Sequence, residues 1–402
     1  MLVAAPLAAQ TVYTYIGQVS SDAVLIAWGT ATGVNRENTI GRDSASLGHA
    51  RVQIAGRTVE TDRNWADIRN LDPDTPYPYQ VEIGGKTVGQ GTVRTWPRRA
   101  TRLAFFVIGD YGSGGAQQRQ IADAMRREFV RRRAAGDFVR FVLTVGDNIY
   151  ADVNLGYLIA GSGNQDRHWA GKFFEPYREL LREIPFLPTL GNHDGNASEN
   201  RDDLTVYLDN FFFPDNRPAR WYTFPYANVA QFIALDSTDN TTAGHPAPAF
   251  APGGDQSKWL ARVLSESHVP WKIPYFHHPP FNAGPGHGAS LGVLSHWVAL
   301  FRSNGVRAVF SGHEHNFQFT EDSDATGHIR YFVTGSGGQL RPGDVRPNMP
   351  RAHIEGWSPQ YEFAVVEIEG STMHVTPLAN IPVVVRDATG KQIQMPVAIK
   401  LP

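Results

Sequence analysis

The sequence predicts an N-terminal all-β sandwich followed by a larger, layered α/β domain. Three observations carry that expectation. Residues 11–97 alternate apolar and polar positions in short runs divided by turns, and no stretch there suits a helix. From residue 98 the pattern changes to continuous apolar runs, of the kind buried on both faces of a sheet, with helical stretches between them. Five of those runs end in a glycine or an aromatic residue and then an acid, an amide or an imidazole. At 402 residues, 42% of them hydrophobic, the chain is long enough for more than one packed core.

Residues 1–10 hold the small apolar run Leu2–Ala9, which reads as the tail of an export signal, although without the basic residues that normally precede one. It predicts an exported protein, periplasmic or extracellular. The strands expected in 11–97 are TVYTYIGQVS, AVLIAWGT, ARVQIAG, RTVETD, YPYQVEIGG and KTVGQGTVRTW. Tyr77 follows the corner Leu71-Asp72-Pro73-Asp74-Thr75-Pro76, where a tyrosine hydroxyl can bond back to upstream backbone. With that corner and the alternating strand that carries Trp28, the segment resembles a fibronectin type III domain. No chemistry is assigned to it.

The second domain is expected over 98–402. Its buried strands are Leu103–Ile108, Phe138–Val145, Phe186–Leu190, Val229–Leu235, Trp271–Phe276, Val306–Phe310 and Ile329–Thr334. Helices are expected at Gln117–Ala135, Trp169–Glu183, Gln256–Ser267 and Leu291–Asn304. A closing hairpin follows at Tyr361–Ile368 and Thr372–Thr376, with a further turn at Asp387–Gly390.

Composition removes several classes of function. A formal charge of −2, from 37 Lys+Arg against 39 Asp+Glu, gives no electrostatic footprint for nucleic acid or an anionic membrane surface. The arginines of 126–133 sit on an expected helix beside Glu128 and read as a solvated face. With no cysteine, thiolate metal sites, disulfides and cysteine nucleophiles are excluded. No run of about 18 apolar residues is available to span a bilayer. Gly335-Ser336-Gly337-Gly338 lacks the Lys-Ser/Thr ending of a phosphate-binding loop.

The chemistry-bearing residues fall at the strand ends. Asp110 follows LAFFVIG, Asp147 follows FVLTVG with Tyr150 three residues on, and Asn192 and His193 follow PFLPTLG. His277 and His278 end WKIPYF, and His313 and His315 follow VRAVFSG. In open α/β sheets the loops beyond the carboxyl ends of the strands converge on one crevice, so these side chains are expected to meet. Two carboxylates, an amide oxygen, a phenol and several imidazoles form an oxygen and nitrogen set suited to Fe, Mn or Zn. The set is too large for one ion. Shared by two cations with Asp147 as the bridge, it suits hydrolysis of phosphate esters. In GHEH the two histidines are two apart, and Gly312 is expected to supply the backbone turn that brings both inward.

The ordered motifs GDYG, GDNIY, GNHD, HHP and GHEH resemble the calcineurin-like metallophosphoesterase superfamily, and the tyrosine of GDNIY with the late GHEH resembles its purple acid phosphatases. The likeness covers about Thr101 to Leu340. It implies two central mixed sheets flanked by helices. It implies a dinuclear centre of Fe(III) with a divalent Fe, Zn or Mn: a ferric site of Asp110, Asp147, Tyr150 and His315, and a divalent site of Asp147, Asn192, His277 and His313. It also implies that His193 and Asn192 contact the phosphate and that His287, in GPGHG, does so near the leaving group as the general acid. His278 is then packing or a supporting residue. The expected activity is acid phosphatase hydrolysis of small monoesters by a metal-activated water, with inorganic phosphate as product. A phosphodiesterase acting on nucleotides or phospholipid head groups is the alternative within this chemistry, and a non-catalytic binding protein built on the sandwich is the alternative outside it.

Overall fold

The structure, a computed structural model, describes residues 11–30, 46–150, 169–194, 204–238 and 253–402. The run Leu2–Ala9 lies outside them, as do 195–203 and 239–252.

The N-terminal segment folds as two antiparallel sheets. One contains β1 (Val12–Val19), β2 (Ala23–Thr30) and β5 (Trp65–Arg69), in the order β1-β2-β5. The other contains β3 (Ala50–Ile54), β4 (Arg57–Thr61), β6 (Pro76–Ile83) and β7 (Lys86–Arg94), in the order β4-β3-β6-β7. Trp28 is fully buried between them. The Tyr77 hydroxyl accepts the Asp72 backbone N–H at 2.8 Å, the corner bond its position predicts. One strand of this segment was not expected, β5, which buries only two of its five residues.

The second domain is four layers, helices outside two stacked sheets. The first sheet holds β8 (Arg102–Ile108), β9 (Val139–Thr144), β10 (Phe186–Pro188), β18 (Phe363–Glu369), β19 (Thr372–Leu378) and β20 (Val397–Lys400), in the order β10-β9-β8-β18-β19-β20. Its β8, β9 and β10 run parallel, whereas the C-terminal hairpin β18–β19 joins antiparallel to β8. The second sheet is ordered β11-β12-β13-β14-β16-β15-β17, from β11 (Tyr222–Tyr226), β12 (Ala230–Ala234), β13 (Trp271–Tyr275), β14 (Ala308–Ser311), β15 (Phe317–Thr320), β16 (Arg330–Thr334) and β17 (Ile354–Ser358). Both sheets are therefore mixed, and β12, β13, β14 and β16 are parallel.

The two sheets are joined by aromatic side chains. Phe105 stacks on Phe141 at 5.3 Å and meets Phe232 edge-on at 5.2 Å and Phe310 at 6.2 Å, all with no exposed surface. Burying each contributes about 1.5–3 kcal/mol. The outer face of the first sheet is covered by α1 (Ala116–Ala134), which buries Ile121, Met125 and Phe129 at helical spacing. The second sheet is covered by α4 (Asp255–Glu266), α5 (Leu291–His296) and α6 (Val298–Ser303), where Leu260, Leu264, Val293 and Phe301 pack with Ile233 and Val309. Two expected helices are shorter than their patterns. In 169–183 a π-helical turn at Ala170–Phe174 is separated from α2 (Arg178–Leu181) by Pro176, which has no N–H to continue the ladder. The stretch from Leu291 is divided at Trp297 into α5 and α6. Another short helix, α3 (Thr205–Asn210), precedes β11.

The domains share a core. Tyr15 packs edge-on against Phe174, Trp96 contacts Phe141 and Tyr226, and the Tyr79 hydroxyl donates to the Arg182 carbonyl at 2.8 Å. Among the described residues no helix is long and apolar enough to cross a membrane.

Candidate metal centre

Each expected side chain leaves the carboxyl end of a parallel strand: Asp110 after β8, Asp147 after β9, Asn192 after β10, His277 after β13, and His313 and His315 after β14. The backbone there is strained. Asp110, Asp147 and His313 have φ of 55°, 48° and 72°, the left-handed region that costs a non-glycine residue of order 1–3 kcal/mol. At these three residues the chain flips, and the side chain turns into the crevice instead of following strand alternation. For GHEH the expectation needs correction. The turning residue is His313, not Gly312. Gly312 is needed for space, because a Cβ there would lie 2.5 Å from Asp110 Oδ2 and 2.8 Å from the Val145 carbonyl. Gly191 is similar: its Cβ would sit 2.2 Å from Asp147 Oδ1.

Two groups of lone-pair atoms result. In the first, the Tyr150 hydroxyl lies 3.1 Å from Asp110 Oδ1 and 3.2 Å from His315 Nε2, and those two are 3.4 Å apart. In the second, Asn192 Oδ1 lies 3.0 Å from His277 Nε2 and 3.1 Å from His313 Nδ1, with 3.2 Å between the two imidazole nitrogens. Asp147 stands between the groups, near Asp110 and His315 on one side and 3.4 Å from His277 Nε2 on the other. His277 Nδ1 faces the Val145 carbonyl at 2.9 Å, so its proton belongs there and Nε2 presents a lone pair to the Asn192 oxygen. Within each group these oxygen and nitrogen atoms converge to within 3.4 Å, and each has a lone pair that a cation could take. The donor set therefore fits two hard or borderline metal ions.

The ionisation of the metal-free centre follows from this. Burial disfavours charge on Asp147, yet the His277 and His193 imidazoles hold its carboxyl well below the usual range. Burial also works against an imidazolium at His277, but the Asp147 and Asp110 carboxylates outweigh it and raise its pKa to about 9. Burial, then Asp110 and Asp147, push the Tyr150 phenol well above its ordinary value. Burial and the neighbouring imidazoles lower His313 far below its ordinary value and His278 to about 3, which leaves both neutral. A proton on His277 takes the place of positive charge among these ligands.

The remaining expected residues also reach the site. His193 donates its backbone N–H to Asp147 Oδ1 at 2.9 Å and sets its ring 4.7 Å from that of Tyr150. His287 stacks on His313 at 4.0 Å and is exposed at the outer edge. His278 does not point away, because both histidines of HHP lie past the end of β13 where alternation no longer governs. Its ring is 4.4 Å from His313 and its Nδ1 is 3.0 Å from Ser237 Oγ. Sequence reasoning missed the supports. Asn148, inside GDNIY, donates Nδ2 to Asp194 Oδ2 at 2.8 Å and to the Thr189 carbonyl at 2.9 Å, and accepts from Tyr111 at 2.8 Å. Asp194 in turn accepts the Gly191 N–H at 2.7 Å, so the second and third motifs are locked together. Glu314 and Arg341 were missed as well. Glu314 sits between the two histidines of GHEH, which was the available signal, whereas nothing in the sequence around Arg341 marks it.

The profile of the calcineurin-like phosphoesterases matches residues 101–317, the stretch that carries all of these strand ends. The chain belongs to that family. The Mycobacterium tuberculosis protein Rv2577 is 26% identical over 333 residues, 75% of this chain and 60% of its own length. The chain thus spans about three fifths of that relative. The tartrate-resistant acid phosphatase type 5 of Oryctolagus cuniculus is 25% identical over 309 residues, 70% of this chain and 89% of that protein. In three dimensions, the purple acid phosphatase PPD1 from yellow lupin (Lupinus luteus) seeds superposes with a TM-score of 0.69 at 14% identity, over 97% of this chain and 74% of that one. That likeness speaks to the shared fold, sandwich included.

Proposed function

We propose that this phosphoesterase hydrolyses phosphate monoesters at a dinuclear metal centre, as an acid phosphatase. The observation that carries the reading is the pair of lone-pair clusters that share Asp147. Asp110, Asp147, Tyr150 and His315 would hold a ferric ion, because phenolate and carboxylate are hard anionic ligands. Asp147, Asn192, His277 and His313 would hold a divalent ion, Fe, Zn or Mn. When bound, such a pair supplies Lewis acidity toward phosphate oxygens and lowers the pKa of a water for in-line attack.

This chain's own residues do the rest. Asn192 and His193, both partly exposed, would face the substrate, where His193 can donate to phosphate oxygens as charge develops on them. His287, on the outer side of His313, contacts the leaving group and gives it a proton. Burial first, and the Arg341 guanidinium second, lower the His287 pKa, so its protonated form belongs to acidic solution. Proton donation at low pH is consistent with an acid phosphatase. The presence of Tyr150 and the resemblance to acid phosphatases support the monoester reading over the diester one. Export is proposed on the apolar run Leu2–Ala9.

The test uses purified protein with metal analysis, a visible spectrum, and turnover of 4-nitrophenyl phosphate against bis(4-nitrophenyl) phosphate. Two metal ions, a visible band that Tyr150→Phe abolishes, and preference for the monoester support the proposal. Diester preference replaces the monoesterase with a phosphodiesterase. Protein that takes up no metal and cleaves neither ester is a binding protein.

A further inference from the structure

Outside the ligand set, the described residues of the crevice include a guanidinium that the reaction as described does not use. Arg341 lies in the segment after β16, and its backbone N–H donates to the His315 carbonyl at 3.0 Å, which ties it to the GHEH turn. Its Nε faces Glu314 Oε1 at 3.1 Å. Glu314 has no exposed surface, and its other oxygen is 3.3 Å from Asn282 Nδ2. The buried Glu314 carboxylate sets negative charge beside the partly exposed arginine and draws its guanidinium to this wall of the crevice. Arg341 Nη2 then lies 3.3 and 3.4 Å from the two ring nitrogens of His287. His313, His287 and Arg341 thus form a stack that runs from the centre outward.

The loop 282–287 is shaped to admit this stack. A Cβ on Gly284 would lie 2.2 Å from the Glu314 carboxyl carbon, and one on Gly286 would lie 2.7 Å from Arg341 Nε and 2.9 Å from Cζ. Only residues without side chains leave room for the pair. The arginine side chain retains 28% exposure and His287 36%, whereas the carboxylates of the centre are sealed. The cation therefore sits where a group departing past His287 would go.

We propose that Arg341 is a specificity-determining residue, which selects phosphate compounds whose leaving group itself carries an oxyanion, a phosphate or a carboxylate. The inference rests on the phosphohydrolase reading above and adds the substrate class. In the reaction the P–O bond to the leaving group breaks, water supplies the new oxygen on phosphorus, His287 gives its proton to the departing oxygen, and the proton that the water loses to solvent restores the imidazolium. Arg341 takes no part in that proton transfer. It pairs with the second anion, and Glu314 holds it in place.

The experiment measures kcat/KM of the metal-loaded enzyme for three compounds: pyrophosphate, whose leaving group is phosphate; phosphoenolpyruvate, whose leaving group carries a carboxylate; and phenyl phosphate, whose leaving group carries no second anion. Arg341→Gln is expected to lower the ratio of an anionic to the neutral substrate by about tenfold or more, the range for one charge-assisted contact. Because that variant strands a buried carboxylate, the double variant Glu314→Gln with Arg341→Gln is measured beside it. Gly286→Ala, which displaces the guanidinium by contact alone, is expected to shift the ratio in the same direction. Calorimetric binding of methylenediphosphonate against methylphosphonate gives a readout without turnover, and the first should lose affinity in the variants. Which anionic substrate falls further identifies the phosphate or the carboxylate as the natural partner. Ratios and phosphonate affinities that do not change across folded variants overturn the assignment to Arg341 while the hydrolase reading stands. A parent enzyme that cleaves none of the three removes the hydrolase reading, and the inference with it.

Discussion

If His277 carries a proton in the metal-free centre, metal uptake must expel it. The numbers follow from the geometry: Nδ1 is committed to the Val145 carbonyl, so the added proton resides on Nε2, the atom that faces Asn192 and Asp147. With a pKa of about 9, His277 is essentially all protonated at pH 7. Uptake at pH 7 should release about one proton from His277, and about one more from Tyr150 if its phenol binds as phenolate. Competition by the first proton over the two pH units between 7 and 9 amounts to about 3 kcal/mol, about a hundredfold in apparent affinity. The sign is fixed: the raised pKa means that the proton stabilises the metal-free site below pH 9, so the His277 contribution to affinity rises with pH up to about 9 and then levels, and the dependence on pH is shallower above 9 than below it. The assay is calorimetry of Zn²⁺ uptake by chelator-stripped protein in two buffers of different ionisation enthalpy, repeated from pH 6.5 to 9.5. Tyr150→Phe should lower the count by about one. No proton release at pH 7, with an affinity flat across that range, would refute the arrangement of lone pairs described above.

Two further outcomes are expected. Asn148→Ala removes the bonds that lock Asp194 and the Thr189 carbonyl to the second motif, so metal affinity should fall about 10- to 100-fold and stability by about 3 kcal/mol, read by competition with a chromophoric chelator and by urea denaturation. Glu362 is buried close enough to Asp110 to feel its charge, and burial pushes its pKa from 4.5 up to about 8. That group contributes its full stability below pH 4.5 and loses it as pH rises through 8, a gap worth up to about 5 kcal/mol. Glu362→Gln should therefore match the parent near pH 4.5 and exceed it at pH 8 in urea midpoint, whereas parallel profiles would show that the carboxyl is not isolated from water.

What sequence alone determined is the set of strand ends and their cargo. Continuous apolar runs can only be buried on both faces, and a polar residue directly after each must lie at the edge of a sheet, so Asp110, Asp147, Asn192, His277 and His313 were legible together. Tyr77 was legible for the same kind of local reason, since its corner is written in six neighbouring residues. Tertiary structure decided the rest. The left-handed backbone at His313 cannot be read from a β-to-loop pattern, because the strain is sustained by Asp110 Oδ2 accepting the His313 N–H at 2.8 Å from 203 residues away. His278 enters the crevice because β13 stops at Tyr275, a boundary set by pairing with β12 and β14 rather than by the residues of HHP. The stack of His313, His287 and Arg341 joins three segments whose spacing carries no period. Contacts of that kind depend on where two glycines leave room, and room is a property of the folded chain only.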